Sequence, residues 1–312
     1  MRATLVLLSL LSAAPAGAGR SALPSCGRCL PIVPVNIVGA LPDGTPDDRR
    51  GTLGAMAGPL GLTPVEAARL AASTGIVLCD TGQGMRPLAS AVLVGDASTI
   101  ATAAHVLRDP SQDGAPLPPG TACQFRSQGQ PQETVALRLD ATEVLGAGGR
   151  ADIWDPNDFA VVRLAAPLQS IQARPFPIVS PPVDPGAAVI LVSGFQVDLR
   201  DRLGERQPIV QLAHVEQAGS AAPGEPRPIY LAGAMDAGGS GGAMLVRTAG
   251  GLALAGIVST TGAVSRNGFA FSLPMMSFIR VIAVEGDFRR AVEGPTRLSR
   301  AGSCAARVSR VC

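Results

Sequence analysis

Asp158-Phe159-Ala160-Val161-Val162-Arg163-Leu164 is a short apolar run, rich in β-branched residues, with a carboxylate at its head. Such a run reads as a strand that must be largely buried, and segments of the same kind recur along most of the chain. Ile76–Cys79, Ser90–Val94, Thr99–Ala103, Val135–Leu139, Ala188–Val192, Ile209–Val215, Ala243–Val246, Leu252–Val258 and Phe269–Leu273 are the others, parted by Gly, Pro and Asp. Strands this short and this frequent, without helical patterns between them, predict an all-β chain folded as an antiparallel barrel or sandwich rather than a βαβ sheet.

Helix signals are confined to the edges of this region. Thr63-Pro64-Val65-Glu66 is a capping box with Pro at the first helical position, followed by Ala67–Ala72 and a stop at Gly75. A C-terminal helix is expected after Pro274, over Met276–Val284. Arg20–Arg50, rich in Pro, Gly and Asp, reads as an extended segment with few buried contacts.

Met1–Gly19 has Arg2, a short apolar core and Ala16-Gly17-Ala18, the pattern of a signal peptide cut after Ala18. No run is long enough to span a bilayer as a helix, so an exported, periplasmic or secreted protein is expected. The chain has 312 residues, 46% of them hydrophobic, and a net charge of +2, enough for a packed core. All 26 basic residues are Arg and they are scattered, which gives no nucleic-acid footprint. Cys26, Cys29, Cys79, Cys123, Cys304 and Cys312 make an even count in an exported chain, suggesting three disulfides. A redox or metal role for Cys26-Gly27-Arg28-Cys29 lacks a surrounding βαβ pattern. Cys79 and Cys123 flank the segment around His105 and read as a pair closing it. No metal and no cofactor are expected.

Ala237-Gly238-Gly239-Ser240-Gly241-Gly242-Ala243 sets one hydroxyl among four glycines, as a nucleophile on a tight turn requires, although a flexible linker has the same composition. Of the two histidines, His105 ends the apolar strand Thr99–Ala103 and precedes a loop, whereas His214 lies inside the alternating run Ile209–Val215. Asp158 needs a partner at the mouth of a buried strand, and an imidazole N–H would serve. Asp152 and Asp155 are the fallback acids.

The order His, Asp, Ser, together with Thr102-Ala103-Ala104-His105, Asn157–Leu164 and Gly238–Gly242, resembles the three signature segments of trypsin-like, chymotrypsin-fold serine peptidases over roughly residues 75–285. The resemblance implies two six-stranded antiparallel barrels and a protein or peptide substrate. It also implies His105 as general base, Asp158 as its orienting carboxylate, Ser240 as nucleophile, and the N–H groups of Gly238 and Ser240 as the oxyanion hole. The implied organisation is a signal peptide over 1–18, an extension over 19–74, the peptidase over 75–285 with a barrel boundary near 170–185, and a tail over 286–312.

Gly239 stands where digestive relatives carry the Asp that pairs with a newly released N-terminus. Ile37-Val38-Gly39-Ala40 therefore reads as a decoy, and the turn must be held by its own neighbours. The sequence is more similar to bacterial exported peptidases of the glutamyl-endopeptidase and HtrA kind, without a PDZ module. The resemblance lines the specificity pocket with Ala234, Ser259, Thr260, Thr261 and Gly268, which predicts small or medium apolar side chains. Asp236 offers a basic preference as the runner-up. A catalytically silent binding module on the same fold is the rival reading. An esterase is disfavoured by the order of the three residues.

Overall fold

The computed structural model describes residues 48–109, 114–118, 120–145, 155–262 and 278–294. The signal-peptide segment, Cys26, Cys29, Cys304, Cys312, Asp152, Gly268 and the strand expected at Phe269–Leu273 lie outside the described residues.

The described chain begins with an arm: Asp48–Arg50, a two-residue strand β1 (Gly51–Thr52), the single turn α1 (Leu53–Met56) and the helix α2 (Pro64–Ser73). The capping box holds α2 at its start, since Thr63 Oγ1 accepts the Glu66 N–H and Glu66 accepts the Thr63 N–H. The expectation for Gly75 needs correcting. The helix stops at Ser73, and Gly75 lies within a strand, where a Cβ would stand 2.2 Å from the Arg126 carbonyl and 2.8 Å from the Phe125 ring. Close packing, not helix capping, explains that glycine.

The first barrel uses β2 (Thr74–Asp80), β3 (Met85–Leu93), β4 (Thr99–Thr102), β7 (Cys123–Ser127), β8 (Thr134–Leu145) and β9 (Phe159–Leu164), with the small ribbon β5 (Arg108–Asp109) and β6 (Ala115–Pro116) beside it. Its six strands close in the order β2-β3-β4-β9-β8-β7, and all pairings are antiparallel. Val77, Leu93, Ile100, Phe125 and Val162 fill the interior. Cys79 and Cys123 face each other across β2 and β7 and form a disulfide.

The second barrel follows with β10 (Ala188–Ser193), the single turn α3 (Arg200–Leu203), β11 (Ile209–Ala218), β12 (Pro228–Ala232), β13 (Ala243–Thr248), β14 (Gly251–Gly262) and β15 (Phe278–Ala283). The order β11-β10-β13-β14-β15-β12 is closed by the pairing of β12 with β11, and β1 adds to the outside of β11. The fold is thus two closed six-stranded antiparallel barrels, chymotrypsin-like, with few helices.

Near the C-terminus the structure corrects the sequence reading. Phe278–Ala283 is a strand, and the helix is α4 (Gly286–Glu293). Ile279, Arg280, Val281, Ile282 and Ala283 are all at most 1% exposed, so β15 is buried on both faces. A strand of that kind has no alternation, and periodicity alone does not separate it from a buried helix. The alternating strand Cys123–Ser127 and the strand Pro228–Ala232 were not anticipated either.

A third apolar cluster joins the barrels and includes Val92, Phe159 and Val161 from the first, and Val192, Leu245 and Ile282 from the second. Each such side chain contributes about 1.5–3 kcal/mol when fully buried. Phe288 of α4 stacks on Phe159 of β9 with ring centroids 4.3 Å apart, so the last helix braces the first barrel.

Candidate active site

Asp158 immediately precedes β9 and is 3% exposed. Burial of a carboxylate is costly unless hydrogen bonds replace its water, and here three donor groups do so. The backbone N–H of His105 donates to Oδ1 at 2.9 Å, and His105 Nδ1 lies 3.2 Å from Oδ1 and 2.9 Å from Oδ2. Ser259 Oγ donates to Oδ2 at 2.5 Å. An ionised carboxylate only accepts, so Nδ1 carries the proton and Nε2 is left as the acceptor nitrogen. His105 sits in the 3₁₀ turn Ala104–Leu107 directly after β4, which pairs with β9 through Thr102 and Ala160. That pairing is why residues distant in sequence share one carboxylate.

Behind Asp158 lies a buried cation that the sequence reading did not find. Arg280 of β15 is 1% exposed; its Nη1 donates to Ser259 Oγ at 3.1 Å and its Nη2 to the Asp155 carbonyl at 3.0 Å. Burial lowers the pKa of this guanidinium, opposed by Tyr230, Asp158 and Asp155. The only sequence signal was an Arg set in an otherwise apolar run, Phe278–Ala283.

Ser240 reaches the same region from the second barrel. Its carbonyl accepts the N–H of Ser90 in β3 at 2.8 Å, and the Ser90 carbonyl accepts Thr102 Oγ1 at 2.8 Å, three residues before His105. A Cβ at Gly241 (φ +80°) would stand 2.1 Å from the Ser90 carbonyl and 2.3 Å from Thr102 Oγ1. Only a glycine after Ser240 lets the two barrels approach this closely. At Gly239 a Cβ would meet Met235 Sδ at 2.1 Å, so a thioether occupies the space a side chain there would need.

The amides of this turn divide into two sets. Gly239, Gly241 and Gly242 donate to Asp236, Val258 and Gly239 carbonyls respectively. Among the described residues the N–H groups of Gly238 and Ser240 have no acceptor. The orientation of these two is set indirectly. The Ala237 carbonyl accepts from Val197 at 2.9 Å and the Gly239 carbonyl from Gly242 at 2.9 Å. In a planar trans peptide the N–H points opposite its carbonyl, so holding those two oxygens aims the Gly238 and Ser240 N–H groups away from the donors.

The remaining candidates fall as follows. Gln211, 3% exposed, clamps Ala234 by accepting its N–H at 3.1 Å and donating to its carbonyl. Ser259 is fully buried and its hydroxyl is taken up by Asp158 and Arg280. Thr260 and Thr261 continue β14, with Thr260 opposite Arg280 and Thr261 opposite Ile279. Asp236 Oδ2 accepts the Asp198 N–H at 3.0 Å. Asp155 supports the turn into β9, its Oδ1 accepting the Asn157 N–H at 2.7 Å. His214 sits within β11, opposite Ala188 and Ala232. Among the described residues no group of His, Cys, Asp and Glu could hold a metal ion.

Against known families, residues 70–282 match the model of the family described as Trypsin. The chain belongs to the trypsin family. A trypsin-family chain is a serine-type endopeptidase, a hydrolase with peptides or proteins as substrate. Among solved structures it is similar to "neuropsin, a serine protease expressed in the limbic system of mouse brain", with 14% identity and a TM-score of 0.47. That match covers 75% of this trypsin-family chain and 96% of the other. No curated protein matches the sequence.

Proposed function

We propose that this peptidase works through Ser240, His105 and Asp158, with the N–H groups of Gly238 and Ser240 as its oxyanion hole. The observation that carries the reading is the pair of amides, of Gly238 and Ser240, that have no acceptor among the described residues, in a turn bonded to the strand that leads into the His105–Asp158 pair. A serine hydroxyl is too weak an acid to attack an amide at neutral pH without a base. His105 Nε2 takes the Oγ proton as Oγ bonds to the scissile carbonyl carbon, and the carbonyl π-electron pair moves onto its oxygen. The two amides stabilise that oxyanion. The C–N bond then breaks, and His105 passes its proton to the departing amine. Water, activated by the same imidazole, repeats the sequence and releases the acid from the acyl-enzyme. Asp158 stays ionised throughout and supports the imidazolium.

Two finer parts of the reading rest on separate observations. Ala234 offers no charge at the expected pocket floor, and the Asp236 carboxylate is already engaged by Asp198, which favours small or medium apolar side chains before the scissile bond. Export is supported by the Met1–Gly19 pattern and by a buried disulfide, a bond that persists in oxidising compartments. No helix among the described residues is long and apolar enough to cross a membrane.

A fluorophosphonate probe tests the mechanism. The mature protein is expected to label with 1:1 stoichiometry, and Ser240→Ala to abolish labelling while keeping the fold. An unlabelled parent protein is the result expected of a silent binding module.

A further inference from the structure

We infer that Arg50, in the arm ahead of the first barrel, is a positioning residue for the oxyanion peptide Ala237–Gly238. This deepens the reading of Gly238 and Ser240 given above and rests on it.

Arg50 is far from Ser240 in sequence, yet its side chain is only 6% exposed. Its Nη1 donates to Gln196 Oε1 at 2.5 Å and to Asp198 Oδ1 at 3.1 Å, and its Nη2 donates to Asp198 Oδ2 at 2.5 Å. Nε and Nη2 also bind Asp48, each at 2.9 Å. A guanidinium is suited to such a fork, since its donors lie in one plane and remain charged. Arg202 Nη2 also approaches Asp48 Oδ2, at 3.7 Å.

The segment that Arg50 holds is the one that grips the turn. Gln196 Oε1 accepts the Asp236 N–H at 3.0 Å, Val197 N–H donates to the Ala237 carbonyl at 2.9 Å, and Asp198 N–H donates to Asp236 Oδ2 at 3.0 Å. Three consecutive residues thus bind Asp236 and Ala237, and the outer two are fixed by one guanidinium. The middle contact matters most for chemistry. Val197 holds the carbonyl of the same peptide unit whose N–H belongs to Gly238, so it decides where that N–H points. Gly238, at φ +92°, has the backbone freedom to let this peptide turn over if its carbonyl is released.

The arm is placed to do this. Directly after Arg50, β1 pairs with β11 through Gly51–Val210 and Thr52–Ile209, and Leu53 N–H donates to the Pro208 carbonyl at 2.8 Å. Burial disfavours both charges, but hydrogen bonds and mutual attraction outweigh it: the Asp48 carboxyl lies below its ordinary value and the Arg50 guanidinium above its own. Without Arg50, the carboxylates of Asp48 and Asp198 lose the cation between them and repel. The Gln196–Asp198 segment then loses its anchor, and Gly238 N–H its fixed direction.

The test uses the full chain with Arg50→Ala, Arg50→Lys and Asp198→Asn. Hydrolysis of a peptide anilide with alanine before the scissile bond is measured per labelled active site, with amide exchange followed at Val197 and Gly239. Removing an oxyanion donor outright lowers kcat by about 100- to 1,000-fold, so a donor set loose is expected to lower it by about tenfold with KM within about twofold. Added methylguanidinium should restore rate to Arg50→Ala but not to the parent, Arg50→Lys should keep part of the rate, and Val197 should exchange faster in the Ala variant. Asp198→Asn, which keeps the guanidinium and its Gln196 contact, should give a smaller loss and reports even if Arg50→Ala does not fold. A kcat per labelled site within twofold of the parent in both Arg50→Ala and Asp198→Asn overturns the inference. So does a loss that follows only the folded fraction and resists methylguanidinium. If the parent itself fails to label, the Ser240 reading falls; unchanged Val197 exchange in Arg50→Ala then rejects the arm's role as well.

Discussion

Ser90 fastens the nucleophile turn through both its backbone and its side chain. Its N–H reaches the Ser240 carbonyl at 2.8 Å, its hydroxyl donates to the Gly238 carbonyl at 2.6 Å, and the same oxygen accepts the Gly194 N–H at 2.8 Å. The residue is fully buried, so Ser90→Ala leaves a carbonyl and an amide without water or partner. Each such orphan costs about 1–3 kcal/mol. We expect Ser90→Ala to lose about 2–6 kcal/mol in urea unfolding, together with a loss of kcat/KM, and Ser90→Thr, which keeps the hydroxyl, to retain most of both. Neither Ser90 nor Gln196 could be picked out from the sequence, because a buried serine or glutamine has no signature apart from the backbone it will meet. His105, Asp158 and Ser240 could, since each stands at the edge of an apolar run where a polar residue is out of place.

Among the elements, α2 ties the arm to the second barrel and to the chain between the barrels. Glu66 Oε1 accepts Arg247 Nη1 from the end of β13 at 3.0 Å, Ser73 Oγ donates to the Arg174 carbonyl at 2.7 Å, and Arg69 lies 4.6 Å from the centroid of the Phe176 ring. The Glu66 carboxyl lies below its ordinary value. The Thr63 N–H is the largest cause; burial opposes it, and the Thr63 hydroxyl and Arg247 add to it. A depressed carboxyl stabilises the fold above its unfolded value and loses that contribution as pH falls through the folded one. Glu66→Gln should therefore be less stable than the parent at pH 7, and the difference should shrink as pH falls below the ordinary value of about 4.3. Urea midpoints followed from pH 7 downward check this; a gap that stays constant on acidification would point to packing rather than charge. The capping box behind this helix was legible because its residues are local in sequence. β15 was not, since what makes Phe278–Ala283 a strand is burial between β14 and β12, remote in the chain. The arm's Arg50 was misread for the same reason: a Pro-, Gly- and Asp-rich segment was expected to make few buried contacts, whereas its last basic residue is almost wholly enclosed.

For the whole molecule, the Cys79–Cys123 bond closes a loop with a sequence separation of 44 and pins β2 to β7 in the first barrel. Loop-closure entropy for that separation is worth about 4 kcal/mol. Replacing both cysteines with alanine should lower the melting temperature by about 10 °C, with the first barrel's amides losing exchange protection before those of the second. Both half-cystines are at most 2% exposed, so a reductant should act only after that barrel opens. The pairing was expected from the positions of the two cysteines either side of His105, and the two-barrel fold from the order of the three signature segments.

The Ser90 contacts also bear on the time at which the protein becomes dangerous to its neighbours. The glycine turn belongs by sequence to the second barrel, yet the hydrogen bonds that hold its Gly238 and Ser240 carbonyls come from β3 of the first. On the proposed mechanism, a half-folded chain owns a serine, an imidazole and a carboxylate but no finished site. Proteolytic competence on that mechanism requires both barrels to be folded and docked, so neither barrel alone could cut a neighbouring chain.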